Sequence, residues 1–426
     1  MYISLTNAPD AAERARPAGP RGARTVSSTV VTLGIVSLLT DISSESVAAV
    51  LPLYITGVLG LSTIAFGVLD GLYQGVSAVV RIAGGYASDR LDQPKWVAFT
   101  GYALAAAARV GLLFASGFAA ITAVVTADRI GKGIRTAPRD ALIAGSSEPE
   151  SLGRAFGVHR MLDNIGAALG PLIAFVILLI VPDGFHIVFT ASLAFALIGV
   201  LVLGLVVPNV RTRPARRAAD RGRRAASRRF AWRRLWSGRM RRVLAGAGIL
   251  GILTIGDGFV YLVLQARSDF AAQWFPLLYV GTNVVFLAFA IPLGRLADRV
   301  GRARVFVVGH FALLGAYAVA ALAIDDLVAT VLCLVFLGAF YAATDGVLAA
   351  LAAETTSPQT RATGIAAVQT VVAVTRFVSA AGFGVLWYAL GREPAMIAVA
   401  VLLAVAIPVA ALVLRPFLSA TGRAVS

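Results

Sequence analysis

Gly294-Arg-Leu-Ala-Asp298-Arg299-Val-Gly301-Arg302-Ala-Arg304 is a short basic stretch between two long apolar runs. A weaker copy, Gly85-Tyr-Ala-Ser-Asp89-Arg90, also lies between apolar runs, at an offset of 294 − 85 = 209 residues. A second motif repeats on its own. Arg154-Ala-Phe-Gly157 opens one apolar run and Arg361-Ala-Thr-Gly364 opens another, at an offset of 361 − 154 = 207. Two independent motifs repeating at nearly one spacing, close to half of the 426 residues, mark a duplicated chain. Parallel repeats with a midplane site between them are a transporter architecture.

Working outward, 58% of the residues are hydrophobic and 14% charged, and the mean hydropathy is +0.82. Soluble domains are nearer to about 45–50% apolar and about 25% charged. A soluble enzyme, a disordered protein and a nucleic-acid binder are thereby excluded as whole-chain readings. A membrane-crossing helix needs about 20 mostly apolar residues. Such runs fall near 28–58, 62–88, 96–117, 119–144, 154–181, 185–208, 242–266, 273–293, 304–323, 327–352, 362–390 and 394–415. None alternates with the period of two that a barrel strand requires. Cys333 is the single cysteine, and His159, His186 and His310 are scattered, so neither a disulfide framework nor a metal cluster is expected. Gly131-Lys132-Gly133 lacks the rest of a nucleotide-binding loop, and no metalloprotease helix or nucleophile elbow occurs. The expectation is a protein without cofactor or metal, not an enzyme, driven by an ion gradient.

Basic residues set the topology. Arg14, Arg16, Arg21 and Arg24 precede the first run, Arg90 and Lys95 follow the second, and Arg299, Arg302 and Arg304 follow the eighth. The alternate loops hold Pro182-Asp183-Gly184, Asp325-Asp326 and Gly391-Arg392-Glu393. Every second loop is basic, which places both termini in the cytoplasm. The expected organisation is a disordered tail over 1–27, a six-helix bundle over 28–208, a basic cytoplasmic linker over 209–241, a second bundle over 242–415 and a tail over 416–426. Residues 211–242 hold fourteen arginines and a single acid, Asp220, and the stretch from Phe230 to Met240 suits an anionic lipid surface. Tethering between two membrane halves argues against DNA as its partner.

On these motifs the chain resembles the major facilitator superfamily over nearly its whole length. The stretch 294–304 is a complete match to that family's cytoplasmic loop motif, while Asp92 and Gln93 depart from it in the first copy. The string Asp128-Arg-Ile-Gly-Lys-Gly-Ile-Arg-Thr-Ala-Pro-Arg-Asp140 looks like a recurrent bacterial subgroup. The resemblance implies an all-α integral membrane protein of twelve transmembrane helices in two pseudo-symmetric halves, monomeric, in a bacterial inner membrane. It implies a conformational gate at Gly85, Asp89, Arg90, Gly294, Asp298, Arg299, Gly301 and Arg302, with the motif aspartate latching a neighbouring helix end. An acidic group at a helix mouth is favoured by about 0.3–1 kcal/mol. In the fifth run Gly157, Gly166, Gly170 and Pro171 resemble the family's antiporter signature, with Ala174 where a glycine is usual. That implies export of a small organic molecule in exchange for protons. Proton symport or uniport on the same fold is the alternative, and a non-transporting receptor or enzyme the third.

Charges inside the apolar runs are costly and mark function by default. Asp41 and Glu45 lie about 40° apart on one helical face, and two close carboxylates repel, which favours a shared proton. The fourth run carries Arg129, Lys132, Arg135 and Arg139. By resemblance, the arginine of the family's fourth helix, here Arg129, is tied to proton transfer, and Lys132 replaces a glutamine. Pro138 is expected to bend or end the helix and leave Arg135 and Arg139 at the cytoplasm. The fifth run adds His159, Arg160 and Asp163, and Asp70 is a further coupling candidate. In the second half Ala366, Ala367 and Thr370 stand at the positions of His159, Arg160 and Asp163. Proton handling is therefore expected in the first half, with Asn283, Tyr341 and Gln369 on the wall opposite.

Overall fold

The computed structural model describes residues 26–148, 151–209, 237–356 and 361–418; the side chains of Ile82, Asp89, Arg361 and Ala362 lie outside the description. The first-half helices are α1 (Ser28–Leu53), α2 (Thr63–Leu91), α3 (Pro94–Phe114), α4 (Gly117–Gly145), α5 (Leu152–Ile180) and α6 (Phe185–Leu205). The second half has α7 (Gly238–Gly251), α8 (Asp257–Ser268), α9 (Phe275–Val300), α10 (Arg302–Ala321), α11 (Asp326–Glu354), α12 (Arg361–Leu390) and α13 (Arg392–Val413). A short α14 (Arg415–Leu418) follows. The ends obey local chemistry. Ser62 Oγ accepts the Ala65 amide at 3.3 Å, Asp325 Oδ1 accepts the Val328 amide at 3.0 Å, and Pro94 and Pro276 occupy first turns, where a missing N–H costs nothing.

Among the described residues, ten helical segments are long and apolar enough to cross a membrane. The other two expected runs differ in instructive ways. α4 is long enough but carries too much charge. The run expected over 242–266 is not one helix, because residues 252–256 break it into α7 and α8. Gly248, Gly251, Gly256 and Gly258 weaken the helix there. The buried Tyr317 hydroxyl of α10 then satisfies the opened backbone, accepting the Ile255 amide at 2.9 Å and donating to the Leu253 carbonyl at 3.1 Å.

Pro138 likewise does not end its helix; α4 continues to Gly145, and Arg135 is only 3% exposed. The carbonyl left free by the proline is that of Ile134. It faces α2, where a Cβ on Gly84 would lie 2.6 Å from it.

In the first half α1 packs on α5 and α6, and α4 lies between α2 and α3; in the second, α11 packs on α9 and α10, and α12 on α7 and α13. The halves meet along α2–α12 and α5–α9. Gly67, Gly71 and Gly75 put a smooth stripe of period four on α2. A Cβ on Gly67 would lie 2.5 Å from the Ala380 carbonyl oxygen, and one on Gly71 2.8 Å from the Phe377 ring. Thr63 Oγ1 donates to the Gly384 carbonyl at 3.0 Å. Phe175 of α5 meets Trp274, just before α9, at 5.4 Å between ring centroids. All these contacts lie in the half of the bundle away from the 209–237 connection. That half is called the far end below, and the other the linker end.

Candidate coupling site

α4 presents its cations at steps of three, three and four residues, so a rise of about 1.5 Å per residue strings Arg129 to Arg139 over about 15 Å. Each meets a different acid. Deepest, Asp128 accepts from Arg109 of α3 at 2.9 Å and from Arg129 Nε at 2.8 Å, with Arg129 Nη2 also on the same carboxylate. Arg129 stacks on the Tyr73 ring at 3.7 Å, and Arg109 also donates to the Ser43 and Ser44 hydroxyls at 3.4 and 3.3 Å. One turn on, Lys132 Nζ lies 4.0 Å from Glu45 Oε1. Arg135 is next, 3.9 Å from Asp41 Oδ1 and stacked over Tyr102 at 4.5 Å. Last, Arg139 lies 3.0 Å from Asp140 and 3.7 Å from Asp163, whose other oxygen meets Arg160 at 3.1 Å.

Exposure varies along this ladder. The Arg109, Asp128 and Arg129 side chains are 3–5% exposed, whereas Lys132 and Glu45 remain 35% and 30% exposed. The ladder is buried at Asp128 and partly exposed at Glu45.

The expectation of a mutually repelling Asp41–Glu45 pair needs correction. One turn apart on α1, each faces its own cation on α4. The carboxyl group within hydrogen-bonding reach of Asp41 is instead Asp163 on α5. Asp41, Glu45, Arg129, Lys132 and Asp163 thus share one site. Asp70 stands apart, against the start of α8 in the other half. Tyr341 there donates to Asp257, while Asn283 and Gln369 are exposed. Arg109 escaped the sequence reading; its signal was a lone arginine within an apolar run. The Gly67-Gly71-Gly75 stripe escaped it too, although glycines four apart signal close helix approach.

The antiporter-like glycines divide. Gly166 and Gly170 seat α5 on α1, where a Cβ would lie 2.4 Å from the Leu38 carbonyl oxygen and 2.8 Å from the Ser46 nitrogen, but nothing approaches Gly157 within 4 Å. Pro171 is buried beside them within α5.

At the gate motif, Gly301 alone separates α9 from α10 and takes φ +105°. Asp92, its counterpart at an offset of 209, also has a positive φ, +54°, but with ψ +36° against +132° at Gly301, so the two copies turn through different backbone conformations. Gly85 packs toward Ala137 of α4, and Arg90 and Arg299 are exposed. The Asp89 side chain is outside the described residues. Asp298 pairs with Arg302 at 3.0 Å and is 65% exposed; Arg302 reaches Glu354 at the end of α11 at 2.6 Å. Asp298 thus engages its own motif.

The sequence pattern of the Major Facilitator Superfamily matches residues 33–282 and 267–424. An uncharacterized MFS-type transporter of Methanocaldococcus jannaschii is 28% identical over 375 residues, 85% of this chain and 89% of that one. An uncharacterized protein of Mycobacterium tuberculosis is 31% identical over 144 residues, 34% of this chain and 35% of its own. Among solved structures, the nucleoside transporter NupG superposes with a TM-score of 0.76 at 15% identity, over 91% of this chain and 99% of its own. A bacterial homolog of the human lysosomal transporter Spinster, in an inward-facing and unoccupied conformation, gives 0.72 at 15% identity, over 95% and 100%. Duplicated motifs, two helical halves meeting along α2–α12 and α5–α9, and these matches agree: the chain is a multi-pass membrane protein belonging to the Major Facilitator Superfamily.

Proposed function

We propose that this protein is a proton-coupled antiporter that exports a small organic molecule by alternating access across a bacterial plasma membrane. α4 and the α7–α8 pair complete twelve crossings, the linker end faces the cytoplasm, and the arginine-rich composition of the linker, which lies outside the described residues, suits anionic lipid. The arrangement of the halves, joined toward the far end, then reads as an inward-facing state. The observation that carries the proposal is the Glu45–Lys132 and Asp41–Arg135 pairing, one rung exposed and the next nearly buried. A proton on either carboxyl neutralises it, and a cationic group of the substrate would seek the same carboxylate. Proton and substrate therefore compete for the same charges, which is the requirement for exchange. The glycine contact of α5 on α1 supports this reading, because it seats Asp163 beside Asp41.

The test is substrate-induced proton movement in proteoliposomes, using a panel of cationic, anionic and zwitterionic small molecules. Asp41→Asn and Glu45→Gln should each abolish transport driven by a pH gradient, while substrate exchange without a gradient survives. If both variants still move protons with substrate, coupling lies elsewhere. If the wild-type protein moves both in one direction, it is a symporter.

A further inference from the structure

The break between α7 and α8 gathers ionisable groups from both halves that the α4 ladder does not use. α8 starts at Asp257, preceded by Gly256 in an extended conformation. Asp70, from α2 in the first half, lies directly on that glycine: a Cβ there would sit 2.0 Å from Asp70 Oδ2. That oxygen is enclosed and has no hydrogen-bond partner among the described residues, although the Gln74 side chain reaches the carboxyl group. The groups facing Asp70 are Gln74 on its own helix, Asp257 on α8, Tyr279 on α9 and Arg376 on α12. Behind them, Tyr341 of α11 donates to Asp257 Oδ1, and Arg376 lies 3.8 Å from Asp345 and 5.7 Å from the Tyr341 ring centroid. Asp70, Asp257 and Asp345 thus share one cation, Arg376. Fully ionised, the cluster would hold two uncompensated negative charges. An ionised oxygen without a donor in such an enclosure is strongly disfavoured, and the neutral acid much less so.

We propose that Asp70 is a second proton-binding site, filled whenever the far end is closed, so that protonation licenses the contact of α2 with α8. This deepens the antiporter reading and rests on it. Opening the far end draws Asp70 away from Gly256 and into water on that side, where it exchanges its proton. Closing returns it to an enclosure that tolerates only the neutral acid. Because Asp70 meets water only on that side, its proton gates the return to the linker-open state and is not itself carried across; the protons moved with substrate remain those of the α4 ladder.

The experiment is the distance between spin labels at Ser62 and Tyr388, in the full chain carrying Cys333→Ser, reconstituted in lipid nanodiscs without substrate. The closed state binds one more proton than the open state, so falling pH favours closure, by about tenfold in the closed-to-open ratio per pH unit across the titrating range. Asp70→Asn, a neutral isostere, should stay closed at every pH. Gly256→Ala, whose Cβ collides with Asp70, should populate the open state more than wild type at every pH. The proposal is overturned if the wild-type distances do not respond to pH, or if Asp70→Asn titrates like wild type. It is also overturned if sodium at fixed pH closes the far end as protons do. Were Asp70→Asn not to fold, the wild-type titration and Gly256→Ala decide the matter. Loss of substrate-linked proton movement alongside an intact pH-dependent distance would sink the ladder reading and leave this site standing.

Discussion

Asp128 is the carboxylate on which the first half depends most for stability. Among the described residues it is the only acid paired with two guanidinium groups that are themselves sealed, Arg109 and Arg129, at 4% and 2% exposure. Asp128→Asn removes the charge with almost no change of shape. Arg109 retains two serine hydroxyls and Arg129 retains the Tyr73 ring, but neither retains an anion. Breaking a buried pair by removing one partner typically costs about 3–5 kcal/mol. The serines and the cation–π contact offset a part of that, so the expected loss is about 3 kcal/mol, or roughly two orders of magnitude in the folding equilibrium. Reversible unfolding by SDS in mixed micelles measures it. The companion variant Asp128→Asn with Arg109→Met relieves one orphaned cation and should recover at least about 1 kcal/mol of the loss. A single Asp128→Asn within about 1 kcal/mol of wild type would refute the argument. It would mean that water or lipid headgroups, and not Asp128, neutralise these arginines.

The same assay separates the glycines of α5: Gly166→Ala meets the Leu38 carbonyl oxygen and should cost about 1–3 kcal/mol, while Gly157→Ala, with nothing within 4 Å, should unfold like wild type. Gly301→Ala, in the second loop motif, should lose about 1–2 kcal/mol, because a Cβ strains a backbone held at φ +105°.

Much of the architecture was legible in the amino-acid sequence because it rests on local or periodic information. Lipid as the solvent follows from composition, and the two halves follow from motifs repeating at 209 and 207 residues. The positive-φ turn at Gly301 follows from a residue type, whereas the first copy, with Asp92 in its place, turns through the left-handed helical conformation that aspartate tolerates. Apart from Arg109, the acids and bases of the candidate coupling site were legible as charges that lipid would reject. Their partners were not. Which carboxylate meets Lys132 or Arg135 depends on how far α1 is rotated and shifted against α4, and one helical turn exchanges every rung. The 242–266 run misled for a related reason. An apolar composition permits a continuous helix, and only the tertiary structure supplies the Tyr317 hydroxyl that holds the opened backbone. Asp70 makes the point most sharply. Its sequence neighbours belong to the first half, yet its carboxyl group lies against Gly256 of the second, because the α2–α12 glycine stripe brings the halves close enough for that contact. Charge and periodicity are properties of a segment, whereas pairing across helices is set by packing between segments far apart in the chain.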